Sequence, residues 1–244
     1  EDAVVPVLLA ASAGALLASW FYGRQVRLPH VRLSWRESAR DVRPMVRLGL
    51  SIMNGSLLST LVAYVARVMV ARDLGTDAVG LYLCAFALAG KFVTIIIEAM
   101  WTDFYPRAAA APDDGELNRL VNQQTEIALL MAMPGLLATL LFAPWMVHLF
   151  YSKEFEAAAP LMRIFTLGYL FAVICGPLRI VQLVKNRSLL HAAAETWSSG
   201  LHCLLIYLGL RGWGLTGCAV AYIIHYTLQT TLSLAIARRL TGFG

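Results

Sequence analysis

Charged residues in this chain fall into short clusters, and the stretches between them stay apolar for long distances. A helix needs ~20 residues to cross a hydrocarbon core roughly 30 Å thick. Seven stretches meet that requirement: residues 3–22, 49–71, 79–107, 127–150, 159–184, 190–210 and a last one ending near 237. Period-two alternation is weak, which favours helices over an outer-membrane barrel. The pattern predicts an all-α polytopic membrane protein with about seven transmembrane helices. Glycine and proline mark the breaks. Residues 72–80 read as a tight turn joining the second and third spans into a hairpin. Pro106 and the acidic residues 112–115 end the third span, and 116–126 form a polar helical lead into the fourth. Pro134 and Pro144 are expected to bend the fourth span, because each removes an N–H from the helical ladder. Residues 151–158 form a short outer loop, Gly176-Pro177 interrupts the fifth span, and 211–217 read as an outer turn between the sixth and seventh.

Composition agrees with the pattern. Hydrophobic residues make up 59% and charged residues only 14%, against roughly 25% charged in soluble domains. The net charge of +5 is not spread evenly. Arg24, Arg27, Arg32, Arg36, Arg40, Arg43 and Arg47 crowd one segment, opposed only by Glu37 and Asp41. Such a cluster marks the cytoplasmic side rather than a nucleic-acid surface. Residues 35–48 suit either a basic amphipathic helix on anionic lipid or a simple topology signal. Lys185, Arg187, Arg238 and Arg239 mark the same side, which puts the C-terminus in the cytoplasm; residues 103–126 are an acidic exception. The four cysteines sit singly inside apolar runs and read as packing residues, with no disulfide framework, metal site or cofactor implied. The chain opens on Glu1 and Asp2 and enters an apolar run at once, as expected for a piece of a longer protein.

Charges inside the apolar runs are the candidate chemistry. Lys91 lies near the middle of the third span, where a lysine costs about 2.5–3.5 kcal/mol on insertion scales. Thr94 and Glu98 follow at i+3 and i+7, so the three share one helical face. That face is expected to avoid lipid, either through an ion pair with a neighbouring helix or by lining a wet cavity. Ser56, Thr60, Tyr64 and Arg67 form a polar stripe on the second span, from which Arg67 can also snorkel to the interface. Arg179 and Gln182 lie near the cytoplasmic end of the fifth span. For Arg179, snorkelling is the expectation, and meeting a phosphate group the alternative. Glu195, Ser199 and His202 share a face of the sixth span, and Tyr222, His225 or Tyr226, and Gln229 a face of the seventh. Histidine titrates in the physiological range, but a membrane histidine also serves as a helix–helix hydrogen-bond partner. Asp103 and Arg107 suit either gate contacts or loop anchors. No nucleophile triad, metalloprotease motif or phosphate-binding glycine loop is present, so enzyme activity and nucleotide-driven transport are not expected.

The order of features carries a resemblance. VRLGLSIMNGSLLST, then ARDLGTDAVGLYLCAFAL, then DFYPRAAA and DDGELNRLVNQQTEIALLMAMPGLLATLLFAPWMVHLFYSKEF, then GLTGCAVAY and RRLTGF, resemble O-antigen translocases. These are the Wzx-type flippases of the multidrug/oligosaccharidyl-lipid/polysaccharide exporter superfamily. The likeness runs from about Val46 to Phe243 and is most specific from Asp103 to Phe155.

The resemblance implies two six-helix lobes. Residues 1–22 would be the last helix of a missing first lobe, 23–47 a basic cytoplasmic linker, and 48–244 the six-helix second lobe. It also implies movement of an undecaprenyl-pyrophosphate-linked oligosaccharide from the inner to the outer leaflet of the bacterial plasma membrane. The expected mechanism is alternating access driven by an ion gradient. Expected partners are that lipid-linked oligosaccharide, membrane lipids, the first lobe, and the polysaccharide polymerase and chain-length machinery; nucleic acid is not among them. Asn54, Tyr64, Arg67, Lys91 and Arg179 are the candidates for a cationic substrate cavity, since arginine and lysine pair well with phosphate oxygens. Glu98, Asp103, Arg107, Glu195, His202 and His225 are candidates for coupling or gating. A drug or cation antiporter would favour carboxylates in its cavity, a seven-helix receptor larger outer loops, and a transport-free scaffold would not explain charges at mid-bilayer depth.

Overall fold

A computed structural model describes residues 4–24 and 35–243, and the side chains of residues 12–24 and 42–243. Among the described residues there is no strand. Six α-helices follow in order among these residues: α1 (Val4–Gly23), α2 (Trp35–Leu74), α3 (Thr76–Ala109), α4 (Asp114–Phe150), α5 (Ala158–Val184) and α6 (Ser188–Thr241), with a short 3-10 helix, Lys153–Phe155, between α4 and α5. The chain divides into two compact units, Glu1–Val42 and Arg43–Gly244. In the first, α1 ends with the Arg24 guanidinium 4.6 Å above the Trp20 ring. The other features described below belong to the second.

Among the described residues, five helices are long and apolar enough to cross a membrane: Val42–Leu74, Thr76–Ala109, Asp114–Phe150, Ala158–Val184 and Ser188–Thr241. The count of seven spans differs from the six helices for one reason. The expected sixth and seventh spans are two arms of α6, bent at Trp213 and Gly214 rather than parted by a loop. Gly214 has φ +58, a left-handed conformation that a side chain disfavours, and it turns the chain within two residues. The arms fold back as a hairpin so tight that a Cβ on Gly209 or Gly217 would overlap the other's carbonyl. Small residues permit this close backbone approach between membrane helices.

The stretch expected as a linker is partly helical. The backbone is helical from Trp35, and α2 contains Pro44. Residues 25–34, with Arg27 and Arg32, lie outside the described residues, as do the side chains of Arg36 and Arg40. Only Gly75, with φ 89, separates α2 from α3. Of the two prolines expected to bend α4, Pro144 has the visible effect: Phe142 just before it leaves helical geometry. Pro144 cannot donate to the Leu140 carbonyl one turn back. Arg163 Nε on α5 donates to that oxygen instead, at 3.0 Å.

α5 is the most buried of the spanning helices and packs against α3, α4 and α6. Tyr82, Phe86, Phe165, Tyr169 and Tyr222 form its aromatic centre, with ring centroids 5.1–6.0 Å apart. Tyr222 packs against Gly168, where a Cβ would strike its ring. One end of the bundle is tied by polar contacts between elements. Lys185 pairs with Asp114, Asn118 and Thr241 exchange hydrogen bonds at 2.9 and 2.6 Å, and Ser51 Oγ donates to the Ser188 carbonyl at 2.7 Å. Arg187, Arg238 and Arg239 cluster at this end. All four cysteines are free, and Cys84, Cys175 and Cys218 are buried.

Candidate functional site

Inside this apolar bundle lies a cavity of about 200 Å³ between α2, α3, α5 and both arms of α6. Arg179 from α5 reaches across it: Nη2 stands 2.6 Å from Glu195 Oε2 on the first arm of α6. Gln229 on the second arm donates from Nε2 to Glu195 Oε1 at 3.3 Å, so both carboxylate oxygens are held. The snorkelling expected for Arg179 does not occur. An opposite charge within reach inside the bundle replaces the interface as the partner for its guanidinium.

The α6 hairpin builds the rest of the wall. Its antiparallel arms bring His202 face to face with His225, with ring centroids 4.0 Å apart and planes 9° apart. Tyr222 and Tyr226 flank the pair, at 5.9 Å from His202 and 4.9 Å from His225. Gly55 and Ser59 on α2, Tyr82 and Phe86 on α3, and Ser198 and Ser199 on α6 also line the cavity. Five buried side-chain atoms find no hydrogen-bond partner among the described residues: Arg179 Nε, His225 Nδ1, Gln182 Oε1, Ser188 Oγ and His191 Nδ1.

Lys91, Thr94 and Glu98 line a second feature, a groove of about 340 Å³ on the outside of α3, with Phe86 and Tyr169 at its back. Thr94 Oγ1 donates to the Gly90 carbonyl of its own helix at 2.9 Å. Lys91 and Glu98 are exposed, and among the described residues neither has an ion-pair partner. The groove and the cavity share Phe86, so one aromatic side chain stands between them.

The remaining sequence candidates lie elsewhere. Arg67 is exposed and donates from Nε to the Ala63 carbonyl on its own helix at 2.9 Å. Ser56, Thr60 and Tyr64 are exposed beside it, so this stripe occupies the face of α2 that does not line the cavity. Asn54 is half-buried and its Nδ2 lies 3.4 Å from the Ala192 carbonyl and from Thr196 Oγ1, tying α2 to α6. Asp103 and Arg107 pair with each other at 3.1 Å on an exposed turn. Sequence reasoning missed Gly55, Ser59, Tyr82, Ser188 and His191. Their only signal was position, since each occurs as an ordinary small or polar residue in an apolar run.

A family model described as a polysaccharide biosynthesis protein matches residues 3–160, more than half of the chain. The chain belongs to that family. A Shigella flexneri protein named "Putative O-antigen transporter" is 20% identical over 235 residues, covering 94% of this chain. The chain spans 54% of the length of that relative. No solved structure matches. Membership agrees with the resemblance to O-antigen translocases and with a multi-pass membrane protein.

Proposed function

We propose that this chain is one lobe of a flippase that moves an undecaprenyl-pyrophosphate-linked oligosaccharide across the bacterial plasma membrane by alternating access. The observation that carries the reading is the Arg179–Glu195 pair with its stacked histidines, an ionisable cluster inside an apolar bundle. Ionisable groups at such depth are costly and mark ion or substrate pathways. Size assigns the roles. Ligand pockets usually occupy about 300–1,000 Å³, so a cavity of about 200 Å³ suits coupling rather than passage of a glycan. The cargo's phosphate is assigned to the open groove lined by Lys91, Glu98 and aromatic rings, where Lys91 has no ion-pair partner among the described residues.

Span of about half a relative supports a second lobe that rocks against this one, as internal repeats do in many transporters. The clustered Arg and Lys at the Lys185 end support a cytoplasmic location for that end and for the C-terminus. The chemistry is transport, not catalysis. A cation antiporter fits less well, because the carboxylate in the cavity is already held by Arg179 and Gln229.

The test uses the full-length protein. Lys91→Ala is expected to lower the rate at which lipid-linked glycan reaches the outer leaflet about tenfold, and Lys91→Arg to retain most of it. Wild-type flipping by the alanine variant at equal expression would remove the groove from the cargo path.

A further inference from the structure

Phosphate recognition by Lys91 leaves two other polar side chains of the same groove idle. Thr94 and Glu98 line that space of about 340 Å³ as well, with Phe86 and Tyr169 beside them. Glu98 is exposed and, among the described residues, makes no ion pair. A carboxylate within an apolar spanning stretch is costly. Set close to a phosphate subsite it also repels the phosphate, unless the ligand brings a group for it to bind.

The three side chains offer different chemistry in a fixed order. Lys91 carries three N–H donors and a positive charge, whereas an ionised Glu98 has only acceptor oxygens. Thr94 gives its single hydroxyl proton to the Gly90 carbonyl at 2.9 Å, so toward the groove it too can only accept. Lys91 and Glu98 stand at i and i+7, about 10 Å apart along the helix axis. They are placed to hold one ligand at two points rather than to hold each other. A ligand that satisfies this face has an oxyanion at one end and hydroxyl or amide N–H donors at the other. Bare pyrophosphate leaves Glu98 unmatched, a cationic drug is opposed by Lys91, and a phosphoethanolamine headgroup is too short to reach across two turns. A phosphorylated sugar fits. Its hydroxyls donate to Glu98 and Thr94, and its apolar C–H face has the aromatic edges of Phe86 and Tyr169 to pack against.

The order along α3 also matches the order within the cargo. α3 ends at Ala109, and α4 begins at Asp114, which pairs with Lys185. Glu98 is therefore two turns nearer the Lys185 end than Lys91 is. On the transport reading that end is cytoplasmic. A lipid-linked glycan that enters from the cytoplasm has its tail deepest, its phosphate next and its first sugar nearest to water. Bilayer interior, Lys91 and Glu98 succeed one another in the same sequence. We propose that Thr94 and Glu98 form a sugar subsite beside the Lys91 phosphate subsite, so that the groove selects a carrier lipid whose phosphate already bears a sugar. The proposal rests on the transport reading above and names a second part of the same cargo. Selection comes from the difference between two affinities: the bare carrier meets the Glu98 charge with no donor to offer, and the loaded one brings hydroxyls.

Binding to the full-length protein in nanodiscs of phosphatidylethanolamine and phosphatidylglycerol tests the subsite with two probes. One is undecaprenyl-pyrophosphate oligosaccharide extracted from the source bacterium, and the other is bare undecaprenyl pyrophosphate. Wild type is expected to bind the glycan-bearing lipid at least tenfold more tightly. Glu98→Ala should abolish that preference, and Glu98→Gln, which keeps an acceptor oxygen, should retain part of it. Lys91→Ala should weaken both lipids alike. A preference that survives in Glu98→Ala, or a wild type without one, would overturn the sugar subsite and leave the Lys91 assignment standing. Equal weakening of both lipids by Glu98→Ala would overturn it too, since a merely structural residue does that. Unchanged binding of both lipids by Lys91→Ala would move the phosphate elsewhere and remove the subsite defined by its place beside it. Failure of wild type to bind either lipid would refute the transport reading itself, and the sugar subsite with it.

Discussion

Breaking the Arg179–Glu195 pair from either side should cost different amounts, and the difference follows from burial. At 2.6 Å the gross attraction is about 6 kcal/mol with an effective dielectric near 20. Desolvation of both ions cancels most of that, which is why a buried pair is weak support for stability while a half-pair is strongly destabilising, by about 3–5 kcal/mol. The two side chains are not equally enclosed: 30% of Arg179 is exposed but only 10% of Glu195. Removing the arginine strands a carboxylate that water reaches poorly, so Arg179→Met should fall in that full range. Removing the negative charge strands a guanidinium that can still be hydrated, so Glu195→Gln should cost only about 2 kcal/mol, discounted for exposure. The glutamine retains an oxygen for the Gln229 amide, so that contact survives and the loss reports on charge alone. The double variant should be more stable than Arg179→Met by roughly 2 kcal/mol, since neither charge is then orphaned. Denaturant unfolding of the full-length protein in detergent micelles measures all three. Additive losses in the double variant, or an arginine variant as stable as wild type, would refute the argument that the two groups are held as a neutralised unit.

Other features give further expectations. A methyl group added at Gly217 has no room against the Gly209 carbonyl, so Gly217→Ala should part the arms of α6 and cost about 1–3 kcal/mol; an unchanged midpoint of thermal unfolding would show the hairpin to be looser than described. Arg163→Met should cost about 1 kcal/mol by leaving the Leu140 carbonyl unpaired. The same change in a Pro144→Ala background should cost almost nothing, because the restored N–H can serve that carbonyl, and equal losses in both backgrounds would disprove the exchange of donors.

How far the chain could be read from its residues depends on which quantity was asked for. The apolar runs announce helices because unpaired backbone groups are intolerable in hydrocarbon, but the helices run on past them, as residues 127–150 lie within Asp114–Phe150. Periodicity also puts Lys91, Thr94 and Glu98 together, and Glu195 with His202, because those relations need only one helix axis. It does not say what a face meets. The sequence reading sent Arg179 to the interface because Lys185 is near in the chain, whereas its partner Glu195 is on the next helix. The stripe from Ser56 to Arg67 was visible, yet the neighbouring face with Gly55 and Ser59 is the one against the cavity. The residues 211–217 announced a turn. Only the fold shows it as a two-residue bend at Trp213 and Gly214, and that bend sets the register stacking His202 on His225. Local hydrophobicity therefore determined that this protein is a bundle of membrane helices, since each helix's spanning energy is a property of its own residues. Which buried charges neutralise one another, and which polar side chains are left to face a groove, was decided by the tertiary structure, because those energies depend on distances between helices that no single segment contains.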